Sequence, residues 1–162
     1  MLFNSLEYLI FFPAVAILYF LLPYRFRWYL LLVASLYFYM CWKAEYVLLM
    51  LYTILVDYIT GWNMGKIQDR KQRRPWMVFS LINNLGILFA FKYFNFFNES
   101  TRAVFQAFKL FYDVPAFQLL LPVGISFYTF QSLTYSLDVY FDTIKPEKNY
   151  FRLVLFVSYF PQ

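Results

Sequence analysis

The stretch Leu119-Leu-Leu-Pro-Val-Gly-Ile-Ser-Phe-Tyr-Thr-Phe-Gln-Ser-Leu-Thr-Tyr-Ser-Leu-Asp-Val-Tyr140 decides how this chain is read. It is long enough to cross a bilayer, yet Pro122, Gly124, Gln131 and Asp138 interrupt its apolar run. Helix breakers and polar groups at membrane depth are tolerated where they pack inside protein or face a watery cavity, so their clustering marks a candidate functional segment. The chain contains no histidine. Whatever this segment helps to do, no imidazole from these residues performs acid–base chemistry.

Composition sets the class around that segment. Hydrophobic residues make up 62% of the chain, aromatic residues 26% and charged residues only 14%, more apolar surface than the core of a soluble domain can hide. The expected fold is all-α, a polytopic helical transmembrane protein forming a single transmembrane domain over residues 1–162. The net charge of +5 does not point to nucleic acid, because the cations sit in short segments between apolar runs and form no continuous stripe. Cys41 is the only cysteine, so there is no internal disulfide and no Cys/His set for zinc or iron. Cys41 is expected simply to pack.

Ala14-Val15-Ala16 faintly resembles a signal-peptidase site, but no Lys or Arg precedes the apolar stretch and the run continues to Leu22. A retained first span is expected. Five candidate crossings follow from the apolar runs, at about Leu6–Leu22, Trp28–Trp42, Ala44–Thr60, Trp76–Phe97 and Pro115–Phe141. The first three are shorter than the roughly 20 residues that traverse ~30 Å of hydrocarbon, so local thinning or burial in a larger bundle is expected. Two basic loops, Pro23–Arg27 and Gly61–Pro75, are separated by two spans and so share a side. The positive-inside tendency makes that side cytoplasmic and the N-terminus extracytoplasmic. The cluster Arg70-Lys71-Gln72-Arg73-Arg74 reads chiefly as topogenic charge, with attraction of an anionic acyl donor or acidic carrier as the alternative.

On the outer side, Val104, Phe108 and Phe111 recur at helical spacing among Glu99, Arg102, Gln106 and Lys109, predicting a short surface helix within Asn98–Val114. A solvated loop with scattered aromatics is the alternative. Asn98-Glu99-Ser100 fits a glycosylation acceptor but is too short to carry weight. The last run, Tyr150–Gln162, starts another apolar segment too short to span. It is expected to open a further span of a longer chain, a membrane-surface tail being the other reading.

Within the opening stretch, Tyr128, Gln131 and Tyr135 share a helix face, with Ser132 beside Tyr128. Ser126, Tyr128, Gln131, Ser132 and Tyr135 are therefore candidates for lining a substrate tunnel, and Thr129 is a further hydroxyl donor. Pairing of the same groups between neighbouring helices is the competing reading. Pro122 and Gly124 are expected to distort the segment near its outer half. Asp138 and Asp57 both lie toward the cytoplasmic ends of their spans, where a solvated or salt-bridged carboxylate is the default; Lys66 or Arg70 would pair with Asp57. Asn83 and Asn84 fall mid-span and need partners in other helices, which makes them structural links.

Leu121-Pro-Val-Gly-Ile-Ser-Phe-Tyr-Thr-Phe-Gln131, Asp138-Val139-Tyr140 and Phe156-Val-Ser-Tyr-Phe-Pro-Gln162 resemble the first half of the membrane-bound O-acyltransferase (MBOAT) family, closest to its alginate O-acetyltransferase branch. Leu30-Leu-Leu-Val-Ala-Ser-Leu-Tyr-Phe-Tyr39 with Trp42, and Phe91-Lys-Tyr-Phe-Asn95, resemble it in the same order. The D-alanyl-transfer branch acting on teichoic acids is similar but a weaker match. The resemblance implies an enzyme of a bacterial inner membrane that moves an acyl group, acetyl in that branch, onto hydroxyls of an extracytoplasmic polysaccharide or similar acceptor. It also implies that the catalytic histidine lies downstream of Phe-Pro-Gln, so no catalytic residue is assigned here and this part alone is expected to be inactive. The implied partners are the lipid bilayer, the C-terminal half and cell-surface polysaccharide-modification proteins, not nucleic acid. No cofactor or metal is expected to be bound, and acyl-CoA and an acyl carrier both remain open as donor. A non-catalytic membrane component, a transporter half or an assembly scaffold, is the alternative from another class. Transporters often carry repeats with matching broken helices, whereas Pro-Val-Gly-Ile-Ser-Phe occurs once.

Overall fold

A computed structural model of the chain describes residues 5–41, 44–107 and 124–160. Six helices follow one another among them: α1 (Leu6–Leu21), α2 (Tyr24–Met40), α3 (Ala44–Lys66), α4 (Arg70–Ala107), α5 (Ile125–Tyr140) and α6 (Tyr150–Ser158). The expected all-α class is observed. Local chemistry starts several of them: the Ser5 hydroxyl accepts the Tyr8 N–H at 3.2 Å, the Asn149 side chain accepts that of Phe151 at 3.0 Å, and Asp69 accepts that of Lys71 at 3.0 Å. Gly124 precedes α5 with φ +81°, a left-handed conformation that costs an L-residue with a side chain about 1–2 kcal/mol. The break expected at Gly124 is therefore present, while Pro122 lies outside the described residues.

Three helices make the centre, since α3, α4 and α5 pack on one another, with α6 against α2 and α3 and α1 against α2. On α3 the buried positions are Val47, Met50, Thr53, Ile54, Asp57, Thr60, Gly61 and Met64, and on α5 they are Ile125, Tyr128, Thr129, Ser132, Leu133, Tyr135, Ser136 and Val139. Both sets recur at three- and four-residue steps, giving each helix one inward stripe. Gly61 packs directly under α5: a Cβ there would lie 2.9 Å from the Tyr135 hydroxyl oxygen.

The stripes bury polar groups among apolar ones, and the outside is apolar. Ser80, Asn84, Asp57, Ser132, Ser136 and Thr129 are fully buried, while Leu6, Phe20 and Leu21 are about three-quarters exposed. Water would drive the opposite arrangement; lipid permits this one, because apolar side chains lose nothing by facing hydrocarbon and polar groups must find protein partners. The protein is accordingly a membrane protein. Helix α3, at about 35 Å, is the described helix long and apolar enough to cross a membrane.

Several boundaries correct the sequence expectations. Both basic loops are largely helical: Tyr24–Arg27 forms the first turn of α2, and Gly61–Lys66 continues α3, leaving only Ile67–Asp69 before α4. No separate helix begins at Asn98. Helix α4 runs unbroken through that point to Ala107, for no Pro or Gly intervenes after Gly86 and the Thr101 hydroxyl bonds back to the Phe97 carbonyl at 2.7 Å. Residues 108–114 of the expected surface helix lie outside the described set. Cys41 does not pack; it is exposed one residue beyond α2.

Candidate functional site

The polar stripe of α5 meets those of α3 and α4 around one carboxylate. Asp57 lies nine residues, about 13 Å, before the end of α3 and is fully buried. Its Oδ1 accepts from the Ser80 hydroxyl at 2.5 Å and from Asn84 Nδ2 at 3.0 Å. Its Oδ2 accepts from Asn84 Nδ2 at 2.9 Å and from the Ser132 hydroxyl. Asn84 Nδ2 also donates to the Ser80 carbonyl at 2.9 Å. One side chain of α3 is thus tied to two of α4, one turn apart, and to one of α5. The expected partnership of Asp57 with Lys66 or Arg70 is corrected: the carboxylate faces the bundle, and Lys66 stacks on Trp62 at 5.3 Å while Arg70 lies over Phe141 at 4.5 Å. A charge this deep remains tenable because four hydrogen bonds replace its hydration.

The candidate tunnel residues separate around this hub. Ser132 is spent on Asp57. Gln131 turns aside and donates through Nε2 to the Phe156 carbonyl of α6 at 2.7 Å. The Tyr135 hydroxyl accepts the Glu147 N–H at 3.1 Å, pinning the loop after α5 to its last turns. Ser126 is half-buried one residue into α5. Tyr128 is 2% exposed, and its hydroxyl has no hydrogen-bond partner in the structure. The Thr129 hydroxyl is likewise buried and unpartnered. Near the start of α5, then, the hydroxyls of Tyr128 and Thr129 are left over, as is that of Ser136 farther along, whereas those of Ser132 and Tyr135 are engaged. Those first turns can present donors to a carbonyl oxygen, while the Asp57 carboxylate is engaged in joining three helices.

Asn83 and Asn84 behave as interhelical links: Asn84 holds Asp57, and Asn83 Oδ1 accepts from the Tyr52 hydroxyl of α3 at 3.4 Å. Asp138 is half-buried near the end of α5 and borders a cleft with Lys145, Glu147 and Arg152. Sequence reasoning missed the Asp57 hub. Two signals could have found it: Asp57 falls three residues beyond Ile54 and seven beyond Met50 on the apolar stripe of α3, and Ser80 and Asn84 are one turn apart on α4. Among the described residues no group of three His, Cys, Asp or Glu side chains could hold a metal ion.

Similarity to known proteins runs along nearly the whole chain. It is 35% identical over 99% of its length to a probable alginate O-acetylase AlgI of Pseudomonas aeruginosa, covering 31% of that protein. The corresponding Pseudomonas putida protein is 36% identical over 99% of the chain and 33% of the relative. A peptidoglycan O-acetyltransferase of Helicobacter pylori is 28% identical over 82% of the chain and 29% of the relative. The chain therefore spans about a third of the length of these curated relatives. No family model and no solved structure matches it.

Proposed function

The chain is a homologue of the membrane-bound O-acyltransferases of the alginate O-acetylase branch, and from that premise we propose that the protein transfers an acetyl group to hydroxyls of an extracytoplasmic polysaccharide. The single observation carrying this reading is sequence similarity over 99% of the chain to proteins named for O-acetylation. Acyl transfer to an alcohol needs a base to take the hydroxyl proton, donors for the oxyanion that forms as the oxygen attacks the acyl carbonyl, and departure of the donor's leaving group. The chain has no histidine, and the family resemblance places the catalytic histidine, and with it the base, downstream of these residues. Their part is a wall of the acyl-transfer route, formed by the first turns of α5: Ser126, Tyr128 and Thr129 face it, Tyr128 with its unspent hydroxyl is the member best able to meet substrate, and Gln131, Ser132 and Tyr135 hold that wall to its neighbours.

The chain crosses the bilayer several times with its N-terminus extracytoplasmic. Arg27, Lys66, Arg70, Arg73 and Arg152 support this, since they stand at the start of α2, the end of α3 and the starts of α4 and α6. Helices of alternating direction bring those ends to one side, and cations gathered there accord with a cytoplasmic face. The donor is an acyl-CoA or an acyl carrier, and the partners are other polysaccharide-modification proteins.

Ester-bound acetyl on the cell-surface polysaccharide, compared between cells lacking the gene and cells carrying it, tests the proposal. Acetyl groups should vanish in the first and return in the second. Unchanged acetylation alongside altered export of the polymer would instead identify a non-catalytic membrane component.

A further inference from the structure

At the end of the bundle where α3 stops and α4 starts, the loop after α5 folds back and encloses a cleft of about 550 Å³. Cations dominate its lining: Lys66, Arg73, Lys145 and Lys148 stand against the single carboxylate of Asp142, with Trp62 forming part of the apolar wall. Arg73 is the fixed member. It is 6% exposed, its Nε donates to the Ile67 carbonyl at 2.5 Å, and its Nη1 donates to Asp142 Oδ1 at 2.5 Å. Among the described residues its Nη2 has no hydrogen-bond partner. Asp142 reaches this partner from a backbone at φ +61°, an uncommon conformation that Asp tolerates better than most residues. The Lys145 and Lys148 side chains are exposed and make no ion pair among the described residues, while the nearby Glu147 carboxylate accepts from the Lys148 and Asn149 backbone N–H groups at 2.9 and 3.2 Å. Among the described residues the lining of the cleft thus carries four cations against one carboxylate.

Its position narrows the ligand. Arg70 stacked over Tyr140 and Phe141, together with Lys66 over Trp62, makes the mixture of aromatic rings and cations typical of the lipid headgroup level. A planar guanidinium with a spare donor edge, flanked by mobile ammonium groups, matches a phosphate. The apolar share of the wall matches the stem that carries it.

We propose that this cleft is an anion-binding site for a phosphate ester presented at the membrane surface, held by Arg73, Lys145 and Lys148. An anionic phospholipid headgroup and a soluble phosphate ester share that chemistry. The site requires the membrane location but not the acetyl-transfer reading.

The full chain in nanodiscs provides the test. Retention of phosphatidylglycerol against phosphatidylcholine is read by native mass spectrometry, and inorganic pyrophosphate is titrated calorimetrically into phosphatidylcholine discs. Selective retention of phosphatidylglycerol without pyrophosphate binding identifies a headgroup site; pyrophosphate binding identifies one for soluble esters. In either case Lys145→Gln combined with Lys148→Gln should weaken binding about 25-fold, from roughly fivefold for each surface cation. Lys71→Gln combined with Arg74→Gln removes equal charge from exposed positions outside the cleft and should change binding less than about twofold. Equal losses in the two double variants would reduce the effect to general surface charge and overturn the site, as would failure to bind either probe. Acetyl transfer enters none of these readouts, so its absence would leave this inference standing.

Discussion

Replacing Asp57 by Ala tests whether the buried carboxylate holds α3, α4 and α5 together. Its removal leaves the Ser80 and Ser132 hydroxyls without their acceptor and takes the carboxylate from Asn84 Nδ2, which keeps the Ser80 carbonyl. Two scales bound the cost. Orphaned donors in a dry protein core cost about 1–3 kcal/mol each, which would sum to roughly 2–6 kcal/mol for the two hydroxyls. Interhelical hydrogen bonds in membrane proteins average only about 0.6 kcal/mol, because the loosened helices find other partners, giving roughly 2 kcal/mol for three. Deleting a buried charge also relieves its desolvation, which favours the lower figure. The expected loss is therefore about 2–3 kcal/mol, a roughly 30- to 150-fold change in the unfolding equilibrium. Asp57→Asn keeps an acceptor oxygen and should lose less, while Ser132→Ala should lose about 1 kcal/mol. Denaturant titration in mixed micelles, followed by tryptophan fluorescence, measures each variant. The Asp57→Ala and Ser132→Ala double variant should be non-additive by at least about 0.5 kcal/mol, since one bond cannot be lost twice. Additive single effects, or an Asp57→Ala protein as stable as the parent, would refute the hub.

Other expectations follow from separate contacts. Gly61→Leu should destabilise by about 1–3 kcal/mol, because even its Cβ would meet the Tyr135 ring and hydroxyl, and the same titration should show partial recovery when Tyr135→Phe is added. Gly124→Ala should cost about 1–2 kcal/mol through its φ of +81° rather than through crowding, as the nearest side-chain atom to the added carbon is 4.0 Å away. Arg73→Ala should lower the melting temperature more than Asp142→Ala does, because Arg73 is buried and also holds the Ile67 carbonyl whereas the Asp142 side chain is 69% exposed. In intact cells a water-soluble maleimide should label Cys41 from outside and a cysteine replacing Lys145 only after permeabilisation; the reverse pattern would invert the proposed orientation.

Periodicity made most of the helices legible, because an apolar run announces a membrane helix whatever it packs against. The starts of α1 and α3 and the end of α5 fall within a residue of the sequence reading. What periodicity could not supply was where one helix yields to the next. Charge alone does not make a loop, since Lys, Arg and Gln propagate helices well, and so Arg25 and Arg27 lie in the first turn of α2 and residues 70–74 open α4. Residues 61–66 stay helical despite two glycines, with Gly61 and Met64 on the buried face of α3. At Asn98 the polarity changes, but a change of polarity does not interrupt a backbone. The left-handed turn at Gly124 was readable for the opposite reason: glycine before an uninterrupted helical stretch is a local signal that needs no tertiary contact.

The polar groups needed the third dimension. Asp57 lies in a helix that ends in Lys66, and its position alone suggested a cation nearby. A side chain's direction around the helix matters as much as its depth, and Asp57 shares the face of Met50, Ile54 and Met64, away from any cation and toward Ser80, Asn84 and Ser132. That direction also divides the candidate site. Ser132 and Gln131 are neighbours in sequence but bond in opposite directions, to α3 and to α6, so α5 is fixed from two sides at its middle. Three residues earlier, Tyr128 and Thr129 retain hydroxyls with no hydrogen-bond partner among the described residues. A segment held rigid at its centre, with spare donors beside a glycine break, keeps those donors oriented without ordering them anew whenever a substrate arrives. Tyr128→Phe should consequently leave stability nearly unchanged, since no bond is lost, and lower acetyl transfer in the full-length enzyme by about tenfold or more if the hydroxyl meets the acyl oxygen. Lower stability without a change in transfer would return Tyr128 to the packing between helices.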